Sequence, residues 1–313
     1  MHHLIKASLN MALIFTISIF YHLNNAQATT QSPLFTKAIE HINNGAFDKG
    51  ILLLKNLATQ SDTNAALAQL HLARLYQFGD GVKQSDLASC QWYLKAANKL
   101  PVAMQHAGHC YARSILKPIA KAQRWYNKAL EYGVISAECD IGTMHFNGIG
   151  FKQDKARAIK LCTNAAMKGA VSAQAQLGLW YLTDETTKNP ELAYQWLKLA
   201  AKYHPISAYR LAELIERRTN NTAYALYWYE KSASLGHQKA YQLTAQAYFL
   251  SHVNAHHNAE KFLAKAYLWA QVWQAANPAL ASPQWLLDIE QKTPDSWKEN
   301  LNKKAASHIN KFL

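Results

Sequence analysis

Bulky and small side chains recur along this chain with helical spacing inside a much longer period. A bulky pair followed by small residues appears as Trp92-Tyr93 with Ala96-Ala97, Trp125-Tyr126 with Ala129, and Leu161-Cys162 with Ala165-Ala166. It returns as Trp196-Leu197 before Ala200-Ala201, Trp228-Tyr229 before Ser232-Ala233, and Trp269-Ala270. Successive anchors stand about 35 residues apart, a period that belongs to stacked helix pairs. Ahead of the anchors lies a second signature, an apolar-small step with an aromatic three residues on: Leu72-Ala73 with Tyr76, Ala107-Gly108 with Tyr111, Ile141-Gly142 with His145, and Leu177-Gly178 with Tyr181. Residues three and four apart share a helix face, so these form one stripe of a first helix. The small residue lets the second helix lie close, and the Trp anchors are expected in the core. His145, standing where other repeats have Tyr, is expected to pack as a substitute.

Two repeats carry a glycine loop between their helices, Gly79-Asp80-Gly81-Val82-Lys83-Gln84-Ser85-Asp86 and Gly148-Ile149-Gly150-Phe151-Lys152-Gln153-Asp154. Glycine supplies positive backbone angles for a tight turn, and the Asp falls where the next helix begins. With these loops on the page, the chain resembles the Sel1-like repeats, relatives of the tetratricopeptide repeat, over roughly residues 66–276 in about six copies. The stretch from Ala137 to Gly169 is the nearest match. The second, fifth and sixth copies lack the Gly-x-Gly loop, and the fourth replaces it with residues 183–190. The resemblance implies an all-α protein, an α-solenoid in which antiparallel helix pairs stack as a right-handed superhelix.

Outside the array, residues 1–28 read as a signal peptide: Lys6, an apolar run from Ala12 to Tyr21, and a small-x-small end at Ala26-Gln27-Ala28, with cleavage after Ala28. The apolar run is shorter than the ~20 residues of a membrane span, so contact with a membrane is expected only through this leader before cleavage. Residues 29–65 read as a degenerate helix pair with Ser32 as cap, Pro33 at the first helical position and a turn at Asn43-Asn44-Gly45. Residues 277–313 read as closing helices begun by Ser282-Pro283 and Thr293-Pro294-Asp295. The last places Trp297, Leu301, Ala305, Ile309 and Phe312 on one stripe, with Lys298, Lys303, Lys304 and Lys311 elsewhere. After cleavage the chain is expected as one extended array in the periplasm or outside the cell.

An oxidising compartment changes the reading of the four cysteines, Cys90, Cys110, Cys139 and Cys162. An even count there suggests two disulfides, with three connectivities open. Cys139-Cys162 is favoured because it joins the two helices of one repeat, and Cys90-Cys110 follows by default; four reduced, buried thiols are the alternative. Cysteine-rich secreted relatives staple each helix pair at other repeat positions.

The formal charge of +13 favours acidic surroundings. Export makes nucleic acid a poor counterpart, leaving peptidoglycan, lipopolysaccharide phosphates, anionic lipid or an acidic protein. No Gly-x-Ser-x-Gly, penicillin-binding set or phosphate loop occurs, so no catalytic residue is assigned. Glu213 and Glu216, three apart, have the spacing of an acid-base pair but suit a solvated or peptide-binding face better. His106, His109 and Cys110 on a first helix, and His252, His256 and His257 in the sixth repeat, have spacings a metal can use. Nothing acidic completes either sphere, so neither a metal nor a cofactor is assigned.

What remains is the inner wall, which first helices line in stacked pairs. Counting from the apolar-small step, the wall positions are Arg74, Gln77, Gln105, His109, Thr143, Phe146, Tyr209, Glu213, Glu216, Tyr241 and Tyr248. Their aromatic, amide and charged groups suit an extended peptide or a partner helix. The resemblance implies a non-enzymatic scaffold assembling envelope or signalling complexes, a flagellar motor accessory being one variant. The basic charge motivates an anionic envelope glycan or lipid binder as the alternative, and the resemblance also offers a weak penicillin-binding or beta-lactamase-like enzyme.

Overall fold

The structure is a computed structural model describing residues 32–255 and 257–312; the expected leader over residues 1–28 and His256 lie outside the described residues. Every regular element among the described residues is a helix. The chain forms two compact units, one ending at Ala173 and the other running from Gln174.

In the N-terminal unit, α1 (Pro33–Asn43) and α2 (Phe47–Leu57) form the expected leading pair. Ser32 caps α1 through its Oγ, which accepts from the Leu34 amide at 3.3 Å, and Gly45 turns the chain at φ +76°. Then come α3 (Thr63–Phe78) with α4 (Asp86–Ala96), α5 (Pro101–Ala112) with α6 (Lys121–Glu131), and α7 (Ser136–Asn147) with α8 (Lys155–Met167). Each helix packs on the one before it. The core between them is mostly alanine on one side and ring or sulfur on the other. Ala73, Ala103, Ala107 and Ala137 are buried, and so are Tyr93, Tyr111, Tyr126 and Cys162.

The two glycine loops are built alike. Gly79 and Gly148 end α3 and α7 in the left-handed region, and Ser85 and Asp154 cap α4 and α8. The Gln84 side chain donates to the Gln77 carbonyl at 3.0 Å and Gln153 to the Phe146 carbonyl at 2.8 Å, closing the orphan carbonyls of the preceding helix in both. In the first loop Asp86 is the opening helical residue and Ser85 the cap.

Both favoured disulfides form. Cys139-Cys162 joins α7 to α8 within one repeat, whereas Cys90-Cys110 joins α4 to α5 and so ties one repeat to the next. Two disulfides suit a compartment outside the reducing cytoplasm. None of the described helices is long and apolar enough to cross a membrane.

The boundary falls in the first turn of α9 (Val171–Thr183), and the C-terminal unit goes on with α10 (Pro190–Ala200), α11 (Pro205–Thr219), α12 (Thr222–Ser234), α13 (Gln238–Val253) and α14 (Ala259–Ala276), then α15 (Gln284–Lys292) and α16 (Asp295–Phe312). The loop that replaces Gly-x-Gly before α10 is held by Asp184, whose Oδ1 accepts from the Thr186 and Thr187 amides, and by Asn189, which caps α10. The final two helices pack on α14. Leu301 and Ala305 are buried on α16 while Lys303 and Lys304 face water, as the stripe requires. Pro283 is itself the cap residue of α15, and Pro294 lies just before α16, so both prolines sit one step earlier than the sequence expects.

The Trp anchors need a correction. Trp228 and Trp269 are buried, but Trp92, Trp125 and Trp196 are half-exposed. In those pairs the second member, Tyr93, Tyr126 or Leu197, enters the core. Neighbours on a helix point about 100° apart, which leaves the first member of these three pairs at the edge of the core, whereas Trp228 and Tyr229 are both covered.

Candidate functional site: a polar strip on the first helices

In the N-terminal unit, polar side chains crowd one face of three consecutive first helices. α3 contributes His71, Arg74 and Gln77; α5 contributes Gln105, His106 and His109; α7 contributes Ser136 and Asp140. All are half-buried. Second helices supply Tyr93 and Tyr126, whose rings fill the core while their hydroxyl ends reach this face. The Tyr93 hydroxyl donates to Gln77 Oε1 at 2.6 Å, and the His106 ring stacks on Tyr93 at 4.3 Å. His109 Nε2 lies 3.1 Å from Asp140 Oδ1, and the Gln105 amide donates to Ser136 Oγ at 2.9 Å and to the other Asp140 oxygen. The bonds from Gln105 and His109 run across adjacent repeats and fix the register of α5 on α7.

Burial dominates the electrostatics of the strip. It pushes His106 down to about 3, with His109 and Arg74 adding to the effect and Asp140 opposing it. Burial pushes His71 down to about 4, helped by Arg74. It raises Tyr93 to about 12 and raises Tyr126, the latter with help from Asp140. Near neutrality the strip therefore presents neutral His71 and His106, neutral phenols, amides and the Arg74 guanidinium. Such a surface offers directed hydrogen bonds more than bulk charge.

The C-terminal unit is more tightly self-paired. Arg210 Nη1 meets Glu213 Oε2 at 2.8 Å, and Glu216 accepts from the Tyr229 hydroxyl at 2.9 Å. Tyr209 lies edge-on between Tyr229 and His237. Deeper, Glu230, Tyr248 and Lys265 close a triangle linking α12, α13 and α14: Tyr248 donates to Glu230 at 2.7 Å, and Lys265 Nζ lies 2.8 Å from Glu230 and 2.9 Å from the Tyr248 hydroxyl.

Among the eleven wall positions expected from the sequence, Arg74, Gln77, Gln105, His109 and Thr143 lie half-buried on first helices of the N-terminal unit, and Tyr209, Glu213 and Glu216 lie partly or fully exposed on α11. Three are corrected. Phe146 is 7% exposed, with Lys155 Nζ 5.1 Å over its ring. Tyr248 is 6% exposed and Tyr241 fully buried, stacked on Trp269 with His308 of α16 against its hydroxyl. The apolar-small step of that repeat is Thr244-Ala245, and counted from it Tyr248 falls on the position of Tyr76, Tyr111 and His145. His145 is buried and stacked on Phe151 at 4.3 Å.

His71, Asp140 and Arg210 were missed by the count. Each stands immediately before the apolar-small step, as His106 does, and that shared position is the signal that finds them. No group of three metal-binding side chains occurs among the described residues. His252 instead lies in the last turn of α13 with Nδ1 2.9 Å from the Ala259 carbonyl.

Stacked helix hairpins of this period and a polar strip on their first helices define a helical-repeat protein. The Sel1 repeat matches residues 66–99, 101–133, 135–169, 171–202 and 205–237, together more than half of the chain, and the chain belongs to that family. The match ends before α13 and α14, the sixth pair expected from the sequence, which nevertheless pack on each other as a hairpin. Among solved structures the chain is similar to a Sel1 repeat protein from Oxalobacter formigenes, with 26% identity over 75% of this chain and 97% of that one, at a TM-score of 0.45. It is also similar to c5321, a protective antigen of uropathogenic Escherichia coli with an SLR fold, at 18% identity, 88% and 77% coverage and a TM-score of 0.40. A third is the immunity protein Pa5087 of Pseudomonas aeruginosa, at 21% identity, 79% and 83% coverage and a TM-score of 0.44.

Proposed function

We propose that this protein is an exported, non-catalytic scaffold that receives a segment of a partner protein along the first-helix strip of its N-terminal unit and so assists assembly of an envelope or signalling complex. A flagellar motor accessory is one setting of that kind. The observation that carries the reading is the strip itself. His71, Arg74, Gln77, Gln105, His106 and His109 lie on adjacent helices at a half-exposed face and set hydrogen-bonding groups side by side along it. Sel1 repeats generally mediate contacts between proteins, and the two disulfides and the leader expected over residues 1–28 suit action outside the cytoplasm. A second reading, contact with an anionic envelope glycan or lipid, is favoured by the net charge of +13.

A photo-crosslinking residue at Gln77 or Gln105 in the native envelope is the direct test. A discrete adduct should form from both positions, persist in high salt, and disappear in an Arg74→Ala, His109→Ala double variant that keeps its helical signal. Equal labelling from Lys49 on α2 and from the strip, or an adduct indifferent to the double variant, overturns the reading.

A further inference from the structure

The outer face of the N-terminal unit, made by the second helices, differs in chemistry from the inner strip. Residues 32–173 carry nearly twice as many Lys and Arg as Asp and Glu. On α4, α6 and α8 the cations recur in repeat register: Lys95 answers to Lys128, Arg124 to Lys160, and Lys121 to Arg157. Lys95, Arg124, Arg157 and Lys160 are exposed, and none forms an ion pair among the described residues. Lys95 and Lys128 instead lie over the rings of Trp92 and Trp125, at 4.2 and 5.3 Å, on two anchors that remain half-exposed. The acidic exceptions nearby are Asp86, which opens α4 beside Leu87 and lies 3.5 Å from Arg113, Glu131 on α6, and Asp154, which is engaged as the cap of α8.

Apolar side chains project from the same stripe. Leu87 shares a face with Gln91 and Lys95 on α4 and is 52% exposed; Met167 follows Lys160 at helical spacing on α8 and is 75% exposed; Tyr132, at the end of α6, is 60% exposed. The corresponding positions on α10 and α12 are Leu192, Gln195 and Leu199, then Tyr224, Tyr227 and Lys231, so the cationic pattern is not a general property of the repeat.

Unpaired cations, half-exposed indoles and isolated apolar side chains together are the composition of a surface that lies on lipid. Lys and Arg meet anionic headgroups, Trp sits at headgroup depth, and Leu or Met reaches the acyl boundary. A soluble polyanion would use the cations and leave Leu87 and Met167 without a role. We infer that the outer face of α4, α6 and α8 docks on an anionic phospholipid bilayer. The N-terminal unit then rests on the membrane surface through its second helices, with its first-helix strip turned away and accessible. The inference rests on a different surface from the proposed partner site, so either can fail alone.

The test is flotation of the purified protein, as cells deliver it, with phosphatidylcholine vesicles containing one third phosphatidylglycerol. Binding should fall at least tenfold in the Lys95→Glu, Arg124→Glu, Arg157→Glu, Lys160→Glu variant. It should stay within twofold in a Lys239→Glu, Lys261→Glu, Lys304→Glu, Lys311→Glu control of equal net charge, both being checked for parental helicity. A Leu87→Ser, Met167→Ser variant should weaken binding and lower the fraction that resists 0.5 M salt. Equal losses in the two charge variants, a smaller loss in the first, insensitivity to the Leu87 and Met167 changes, or binding to soluble dextran sulfate without binding to vesicles overturns the inference.

Discussion

Lowering the pH from 7 to 5 should destabilise the protein through two imidazoles of the first-helix strip, and His106 gives the cleanest measurement. Its ring is stacked on Tyr93, edge-on to His109 and close to Arg74 and Asp140, and burial holds it at about 3. In the unfolded chain the same group titrates near 6.5. The folded value is depressed, so the unfolded state binds the extra proton first. The stabilising contribution is complete above about pH 6.5 and is lost as the pH falls from there toward the folded value. One pH unit within that window is worth about 1.4 kcal/mol per histidine, so His106 alone forfeits up to about 2 kcal/mol by pH 5. His71, held at about 4 by burial and Arg74, contributes a similar amount, and His308 in the C-terminal unit titrates in the same direction. The assay is urea unfolding at intervals from pH 7.5 to 5, comparing the parent with His106→Phe, which keeps a ring against Tyr93. Between pH 6 and 5 the stability of the variant should fall less steeply by about one proton-equivalent, roughly 1.4 kcal/mol per pH unit. Parallel slopes for the two proteins would mean that His106 is protonated in the fold, with Asp140 outweighing burial, and would refute the argument.

Three further outcomes follow from the packing. Replacing Cys139 and Cys162 together by Ala should cost about 2 to 4 kcal/mol in a denaturant titration, because the 23-residue separation they close constrains the unfolded chain; four titratable thiols in the unreduced, unfolded parent would contradict both pairings. Gly108→Ala places a methyl against the ring of Tyr126, which is too buried to swing aside, and should cost about 1 to 3 kcal/mol despite the better helix propensity of Ala; a variant as stable as the parent in thermal melts would deny the close approach of α5 and α6. For the Glu230-Lys265 pair, a double-mutant cycle with Glu230→Gln and Lys265→Met should return a coupling of about 1 kcal/mol, kept low because about a third of the Lys265 side chain is exposed; additive losses would show that the triangle carries no interaction energy.

The helices and loops were legible because each rests on a local rule that needs no partner chain. A small residue beside a ring fixes where two helices approach, as at Gly142, where an added methyl would meet the Ala158 carbonyl oxygen at 2.9 Å. The loops could be read from Gly79 and Gly148, and the Gln shared by both loops was printed in the sequence, though its bond to the preceding helix was not. The cysteine pairs could be narrowed because the repeat frame put Cys139 and Cys162 on facing helices. Facing direction was harder to read, since a slip of one residue rotates a side chain by about 100° and carries it from wall to interior. That slip explains Tyr248, and it explains why Trp92 and Trp125 face outward while Tyr93 and Tyr126 fill the core. The same geometry hid the strip: His71, His106 and Asp140 stand in line only when three repeats are superposed on the residue before the small step. A single repeat, read alone, shows one more polar residue on a helix. The strip is thus written across repeats, one side chain at a time.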